Sequence, residues 1–241
     1  MKSSPTLLMI PCFAGAPWQL EQLSHLQDRA MRTLRLPDQV NDLETLADFI
    51  LGQVQDLESY VLVGDSYGAL AAIAIAIRQP KGLKALVLSG GFAKSPITSP
   101  LLKALARLAP WFPGALYRQT TLRFHAAQLA SSFDKAGEIP WSTAKSRAFF
   151  VKHTPHRAYV NRISSIEKVD FTPRLKNIAV PTLILTPEED RLIGQHAAGI
   201  LLKGISGSQE VIMPRTGHMF RFSHPAAYSQ EISRFLQRVA L

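Results

Sequence analysis

The chain has 241 residues, 46% of them hydrophobic and 19% charged, with 27 Lys and Arg against 18 Asp and Glu for a net charge of +9. This balance fits one large globular domain, or a core domain with an insertion, and excludes disordered and fibrous classes. The single cysteine, Cys12, excludes an internal disulfide and any Cys-x-x-Cys metal site, and no apolar run approaches the roughly 18 residues of a membrane helix, so the expected location is the cytoplasm.

Residues 6–10 are apolar and short, as in a first buried strand, and 11–17 form a loop by their proline and glycine content. Residues 18–29 have helical spacing through Leu20, Leu23 and Leu26. Residues 30–36 make a weak strand, interrupted by Arg32 and Arg35. Asp42 is placed to cap a helix over 43–54, where Leu43, Leu46, Ala47, Ile50, Leu51 and Val54 have helical spacing. A Val- and Leu-rich strand begins at Tyr60, an Ala- and Ile-rich helix runs on to Pro80, and 84–89 is another strand. The alternation resumes with strands at 180–186 and 208–213, a helix at 192–202 between them, and a closing helix after His224-Pro225. Strands alternating with helices predict a mostly parallel sheet with helices on both faces.

Between Ser95 and Lys176 the alternation stops. The stretch holds seven prolines, helical segments and no clear strand. Residues 1–94 and 177–241 are therefore expected to form an α/β core, and 95–176 an inserted helical lid. The lid carries 13 Lys and Arg against 4 Asp and Glu, while the rest of the chain has 14 of each sign. The whole positive surplus lies in the insertion. Its apolar residues, Leu101, Leu102, Trp111, Phe124, Phe149 and Phe150 among them, pack the lid itself or line an acyl pocket.

The joint between the Tyr60 strand and the following helix reads Gly64-Asp65-Ser66-Tyr67-Gly68. Reversing from strand to helix in so few residues strains the central position, and glycines two places before and after remove side chains that would collide. Ser66 is then held out at the sheet end, at the head of a helix whose partial positive charge favours an anion. A serine hydroxyl needs a base, and the base needs a carboxylate to orient it. Residues 187–192 form an acidic turn after a strand, with Asp190 as the candidate acid and Glu189 as fallback. His218 follows the next strand in a Gly-containing loop, 28 positions after Asp190 and 152 after Ser66.

With Gly64-Asp65-Ser66-Tyr67-Gly68, Val180-Pro181-Thr182 leading to Asp190, and Gly217-His218 followed by Pro225, the chain resembles the α/β-hydrolase family over nearly its whole length outside the insertion. The resemblance implies the α/β-hydrolase fold and a triad of Ser66, His218 and Asp190. It also implies an oxyanion hole from the backbone N–H groups of Tyr67 and Phe13. The family's His-Gly-x loop reads Pro11-Cys12-Phe13 here, and Pro37-Asp38-Gln39-Val40 stands where the family has Asp-x-x-Gly-x-Gly. Cys12 is placed as a neighbour of the oxyanion hole.

The expected function is hydrolysis of a carboxylic ester or thioester, with no cofactor and no metal. The lid is similar to that of carboxylesterases of the pimeloyl-carrier-protein methyl ester esterase type. The substrate is then a small-molecule or carrier-bound acyl ester. An acidic acyl carrier protein would dock on Arg118, Arg123, Lys145, Arg147, Lys152, Arg157 and Arg162, unless these simply form a solvated helical surface. A non-catalytic binding protein of the same fold, and an acyltransferase using the same triad, are the alternatives. Nucleic-acid binding is suggested only by charge, and no phosphate loop or nucleic-acid module supports it.

Overall fold

The computed structural model describes residues 4–26, 28–108, 111, 114, 116 and 120–241. Among these, the strands β1 (Thr6–Ile10), β2 (Met31–Thr33), β3 (Tyr60–Asp65), β4 (Leu83–Ser89), β5 (Thr182–Glu189) and β6 (Gln209–Gly217) form one sheet in the order β2-β1-β3-β4-β5-β6. Every neighbouring pair is parallel. Helices α1 (Leu20–Leu23), α2 (Leu43–Gly52) and α3 (Tyr67–Ala76) precede β4. Between β4 and β5 come α4 (Pro100–Leu108), α5 (Thr121–Gln128), α6 (Ser132–Lys135), α7 (Thr143–His153) and α8 (His156–Lys168). Helix α9 (Gln195–Gly204) joins β5 to β6, and α10 (Phe220–Ser223) and α11 (Pro225–Arg238) close the chain.

The period-2 alternation of side chains divides the core in two. Leu7, Met9, Val61, Val63, Val87, Leu183 and Leu185 face Leu23, Leu26 and the α11 stripe of Tyr228, Ile232, Phe235 and Leu236. Leu8, Ile10, Leu62, Leu86, Leu88 and Ile184 face α2, α3 and α9. Both faces are therefore covered, as an all-parallel sheet requires. Helix α3 is buried at every residue, which its Ala- and Ile-rich, stripe-free sequence permits. Helix α2 starts where Asp42 accepts from the Thr45 N–H at 2.7 Å.

This topology places the site. Successive strands run outward from β1 to β2, then the chain crosses back to β3 and proceeds the other way. A doubly wound sheet opens a crevice where its order reverses, at the carboxyl ends of the strands. Here that crevice lies between the end of β1, leading to Pro11-Cys12-Phe13, and the end of β3, leading to Ser66.

Several elements differ from the sequence-based expectation. The helix over 18–29 breaks into α1 and a 3-10 turn, Ser24–Leu26. Leu23 and Leu26 still point inward, but Leu20 is exposed and Trp18 is buried in its place. β2 shrinks to three residues at the sheet edge beside β1, and Arg32 turns outward to pair with Asp56. β5 and β6 are longer than expected and carry Glu189 and Gly217 at their ends.

The insertion contains no strand among its described residues, beyond a single bridge from Lys94 to Asp170. Of its basic residues, Arg123, Lys145, Lys152 and Arg157 are exposed and Arg147 is half-buried. Arg118 lies outside the described residues. Arg162 overturns the expectation of a docking residue, because it is 1% exposed and points into the protein. It stands on the buried face of α8 with Ala158, Tyr159, Ser165 and Ile166.

Phe235 is fully enclosed between α11 and the sheet. Phe235→Ala is expected to lower the unfolding free energy by about 3–5 kcal/mol, measured by urea denaturation.

Candidate active site

Ser66 lies in the turn between β3 and α3 with φ 53° and ψ −112°. Non-glycine residues rarely hold positive φ, and the neighbours show what enforces it here. A Cβ on Gly64 would fall 2.6 Å from the Gly68 carbonyl oxygen and 2.7 Å from Cα of Ala69. One on Gly68 would fall 2.5 Å from the Ile10 oxygen and 2.6 Å from that of Pro11. The obstacles are backbone, so only glycine fits either position. The Ser66 N–H donates to the Ser89 carbonyl at 2.8 Å, tying the turn to the end of β4.

The structure brings the three late and early candidates together. Ser66 Oγ lies 3.0 Å from His218 Nε2, and His218 Nδ1 lies 2.7 Å from Asp190 Oδ2. The other Asp190 oxygen accepts from the N–H groups of Leu192 and Ile193, both at 2.9 Å. Burial works against charge on Asp190, but the neighbouring His218 and these hydrogen bonds outweigh it and hold the carboxyl below the usual range. An ionised Asp190 accepts only, so Nδ1 of His218 carries the proton and Nε2 is free to accept from Ser66. Burial also opposes charge on His218, yet the carboxylate of Asp190, with Asp65 and Asp134 further off, raises its pKa. Glu189, the fallback acid, is turned away: it accepts from Ser131 at 2.7 Å and from Arg191 at 2.5 Å.

Beneath the turn is an ion pair that the sequence reading missed. Asp65 accepts from Arg221 Nε at 2.7 Å, and both are buried. Arg221 also donates to Gln22 Oε1 at 2.5 Å, and its guanidinium lies 4.1 Å from the ring centres of both Trp18 and Phe222. The pair bonds the residue before Ser66 to α10, three residues after His218. The only signal in sequence was an aspartate at the end of an apolar strand, where a buried carboxylate needs a charged or hydrogen-bonding partner. Cys12 sits beside this pair, and burial first, then the Asp65 charge, pushes its thiol up. Both effects favour the thiol over the thiolate form at Cys12.

The relay opens into a cavity of about 600 Å³ lined largely by apolar side chains. Phe13, Phe92, Phe150, Tyr159 and Phe222 contribute walls from both core and insertion. The polar lining includes Thr121, His125 and Gln128 on one face of α5. The His125 ring lies tilted 5.2 Å from the Phe13 ring and edge-on 4.9 Å from that of Phe150. Burial, reinforced by nearby His218, lowers its pKa to about 4, so it stays neutral near pH 7. Sequence reasoning did not single it out, since a histidine within a helix carries no local mark of a pocket wall. Phe13 and Tyr67 both line this cavity, with their rings edge-on at 5.9 Å. Among the described residues, no group of three His, Cys, Asp or Glu side chains is placed to hold a metal, and no helix is long and apolar enough to cross a membrane.

A parallel, doubly wound sheet with a serine at a strained strand-to-helix turn and a histidine–aspartate pair at adjacent strand ends defines a hydrolase of the α/β class. Residues 7–231 match the model of the alpha/beta hydrolase family, and the chain belongs to that family. It is 25% identical to proline iminopeptidase of Saccharolobus solfataricus over 221 residues, 83% of this chain and 68% of that protein. It is 28% identical to 2-hydroxy-6-oxononadienedioate/2-hydroxy-6-oxononatrienedioate hydrolase of Escherichia coli K12 over 197 residues, 76% of this chain and 64% of the relative. The chain thus spans about two thirds of the length of these curated relatives. Among solved structures, a thermophilic esterase from Thermogutta terrifontis superposes with a TM-score of 0.81 at 20% identity, covering 98% of this chain and 91% of that one. The enol-lactonase from Burkholderia xenovorans LB400 gives 0.80 at 19%, covering 98% and 92%. These likenesses are of fold.

Asp65→Ala would leave the Arg221 guanidinium buried and unpaired. It is expected to lower the unfolding free energy by about 3–5 kcal/mol in urea denaturation.

Proposed function

We propose that this protein hydrolyses carboxylic esters or thioesters through an acyl-enzyme on Ser66. The observation that carries the reading is the unbroken relay from Ser66 to His218 to Asp190, with contacts of 3.0 and 2.7 Å, at the wall of an apolar cavity. His218 Nε2 takes the Ser66 proton as Oγ attacks the substrate carbonyl. The N–H groups of Tyr67 and Phe13 hold the resulting oxyanion, each donor being worth about 10²–10³ in rate in sites of this kind. His218 then protonates the departing alcohol or thiol. Water, deprotonated by the same imidazole, attacks the acyl-enzyme and frees the acid. Asp190 keeps His218 in the productive tautomer and stabilises its positive form.

The cavity suits an acyl chain with a mainly apolar body. Thr121, His125 and Gln128 supply one polar face, and the neutral state of His125 favours an uncharged hydrogen-bonding group there. For the carrier, the exposed Arg123, Lys145, Lys152 and Arg157 offer a basic surface to an acidic acyl carrier protein, without the buried Arg162. If that surface works, turnover of carrier-bound substrate will fall as ionic strength rises while turnover of a free ester stays level.

Hydrolysis of p-nitrophenyl esters from acetyl to palmitoyl tests the reading. Ser66→Ala is expected to remove about 10⁴-fold or more of the activity, and the preferred chain length to report the depth of the cavity. Equal rates for the two proteins would overturn the serine mechanism.

The pH profile follows from His218. Protonated imidazole accepts no proton, so kcat/KM rises with pH and levels once His218 is neutral. Because Asp190 favours the charged ring, the midpoint should lie above the ordinary histidine value. His125, with its pKa near 4, is already neutral there and contributes no limb. Asp190→Asn should shift the midpoint down and lower the plateau by about 10⁴-fold.

A further inference from the structure

Arg162 and Arg221 are the largest wholly buried side chains among the described residues, and Arg162 comes from the insertion rather than the core. Burial holds its pKa below the usual arginine value, although Tyr67 and Asp38 act the other way. Its carboxylate partner among the described residues, Asp38 at 3.1 Å, is partly open to solvent. Most of its hydrogen bonding goes to main-chain carbonyls. Nη1 donates to the Phe13 oxygen at 2.7 Å, and Nη2 reaches the Leu36 and Pro37 oxygens at 3.4 Å. Gly15 makes room for this, since a Cβ there would lie 2.5 Å from Nη2. Next to Arg162, Asn161 donates to the Asp38 carbonyl at 2.8 Å.

One helical turn further on the same face is Ser165. Its hydroxyl donates to the Arg162 carbonyl at 2.8 Å, which leaves its oxygen to accept from the Tyr67 phenol at 2.9 Å. A single turn of α8 therefore grips two residues from separate parts of the core. Phe13 lies in an irregular loop after β1, and Tyr67 opens α3. These are the two residues whose N–H groups the proposed mechanism aims at the oxyanion.

Resting on that mechanism, we propose that Arg162 and Ser165 are positioning residues for the oxyanion hole. Docking of the inserted helix sets the relation between its two donors. A loop peptide such as that of Phe13 has no ladder to hold it. A planar guanidinium with several fixed donors can pin three carbonyls of two loops at once, which an apolar side chain or a single ammonium does not. The geometric demand is strict, because a misplacement of about 1 Å in an active site can lose about 10²-fold in rate. The insertion is on this view part of the catalytic apparatus as well as a cover.

The test compares Arg162→Met, Arg162→Lys and Ser165→Ala with the parent and with Ser66→Ala, below the melting temperature of each. Three readouts are taken: kcat and KM on the preferred p-nitrophenyl ester, affinity for an alkyl trifluoromethyl ketone, and Tm. The ketone adds to Ser66 Oγ and forms a tetrahedral oxyanion, so it reports the hole directly. Arg162→Met should lose about 10²-fold in kcat with KM within about threefold, and should bind the ketone more weakly by a similar factor. Arg162→Lys should recover part of both. Ser165→Ala should lose about threefold to tenfold in kcat and be non-additive with Tyr67→Phe.

A folded Arg162→Met with parental kcat and ketone affinity would overturn the proposal, as would a loss confined to KM or to Tm. Should Arg162→Met not fold, parental kcat in Ser165→Ala or strict additivity with Tyr67→Phe would overturn it instead. Undiminished hydrolysis by Ser66→Ala would overturn the serine mechanism, and this inference with it. Normal dependence on Ser66 with a silent Arg162→Met would overturn this inference alone.

Discussion

The backbone at Ser66 sits at φ 53° and ψ −112°, a conformation that costs of order 1–3 kcal/mol and persists only where the surroundings hold it. Much of the molecule can be read as those surroundings. Gly68 lets the turn pack against the end of β1, where the carbonyls of Ile10 and Pro11 leave no space for a Cβ, and Gly64 lets the first turn of α3 fold back over it. The fully buried α3 presses on the sheet from behind, and the Ser66 N–H is bonded to the end of β4. Three neighbouring strands thus meet at one residue. The parallel sheet is what makes that possible, because it brings the ends of β1, β3 and β4 to the same edge.

Buried charge does the rest of the fastening. Such groups are tolerable only when paired and hydrogen-bonded, so each one binds two segments that would otherwise be independent. Asp65 and Arg221 join the turn to the stretch after His218. Asp134, whose carboxyl is pushed up by burial, accepts from Ser223 at 2.6 Å and so joins the insertion to the same stretch. Arg162 joins the insertion to the loops after β1 and β2. The loop bearing His218 is held from below by Arg221 and from the side by α6, where a Cβ on Gly217 would lie 2.3 Å from that of Ser131.

The insertion therefore has two chemically different sides. Its inner side supplies cavity walls and the fastening residues Asp134, Arg162 and Ser165. Its outer side keeps exposed cations and exposed apolar groups such as Leu101 and Trp111. The charge surplus of the chain, all of it in this segment by sequence, is split between these sides. An account of the +9 as one surface patch would be wrong by at least Arg162.

What the sequence determined by itself is what short-range pattern can carry. Apolar runs bounded by Gly and Pro mark the strands, and β1 is read to the residue. The glycine spacing around Ser66 and the chain order of Ser66, Asp190 and His218 mark the site, because they follow from backbone sterics and strand order. Only the tertiary structure decided which distant charges are buried together. Asp65 and Arg221 are 156 residues apart, and Arg162 and Phe13 are 149 apart. A charged residue in a helix looks the same in sequence whether it faces water or the core. A trace of the answer was there, since Arg162 shares helical spacing with Ala158, Tyr159, Ser165 and Ile166. Composition hid it, because the stripe mixes a cation and a serine with apolar residues, and only the carbonyls of Phe13, Leu36 and Pro37 explain why that cation belongs inside.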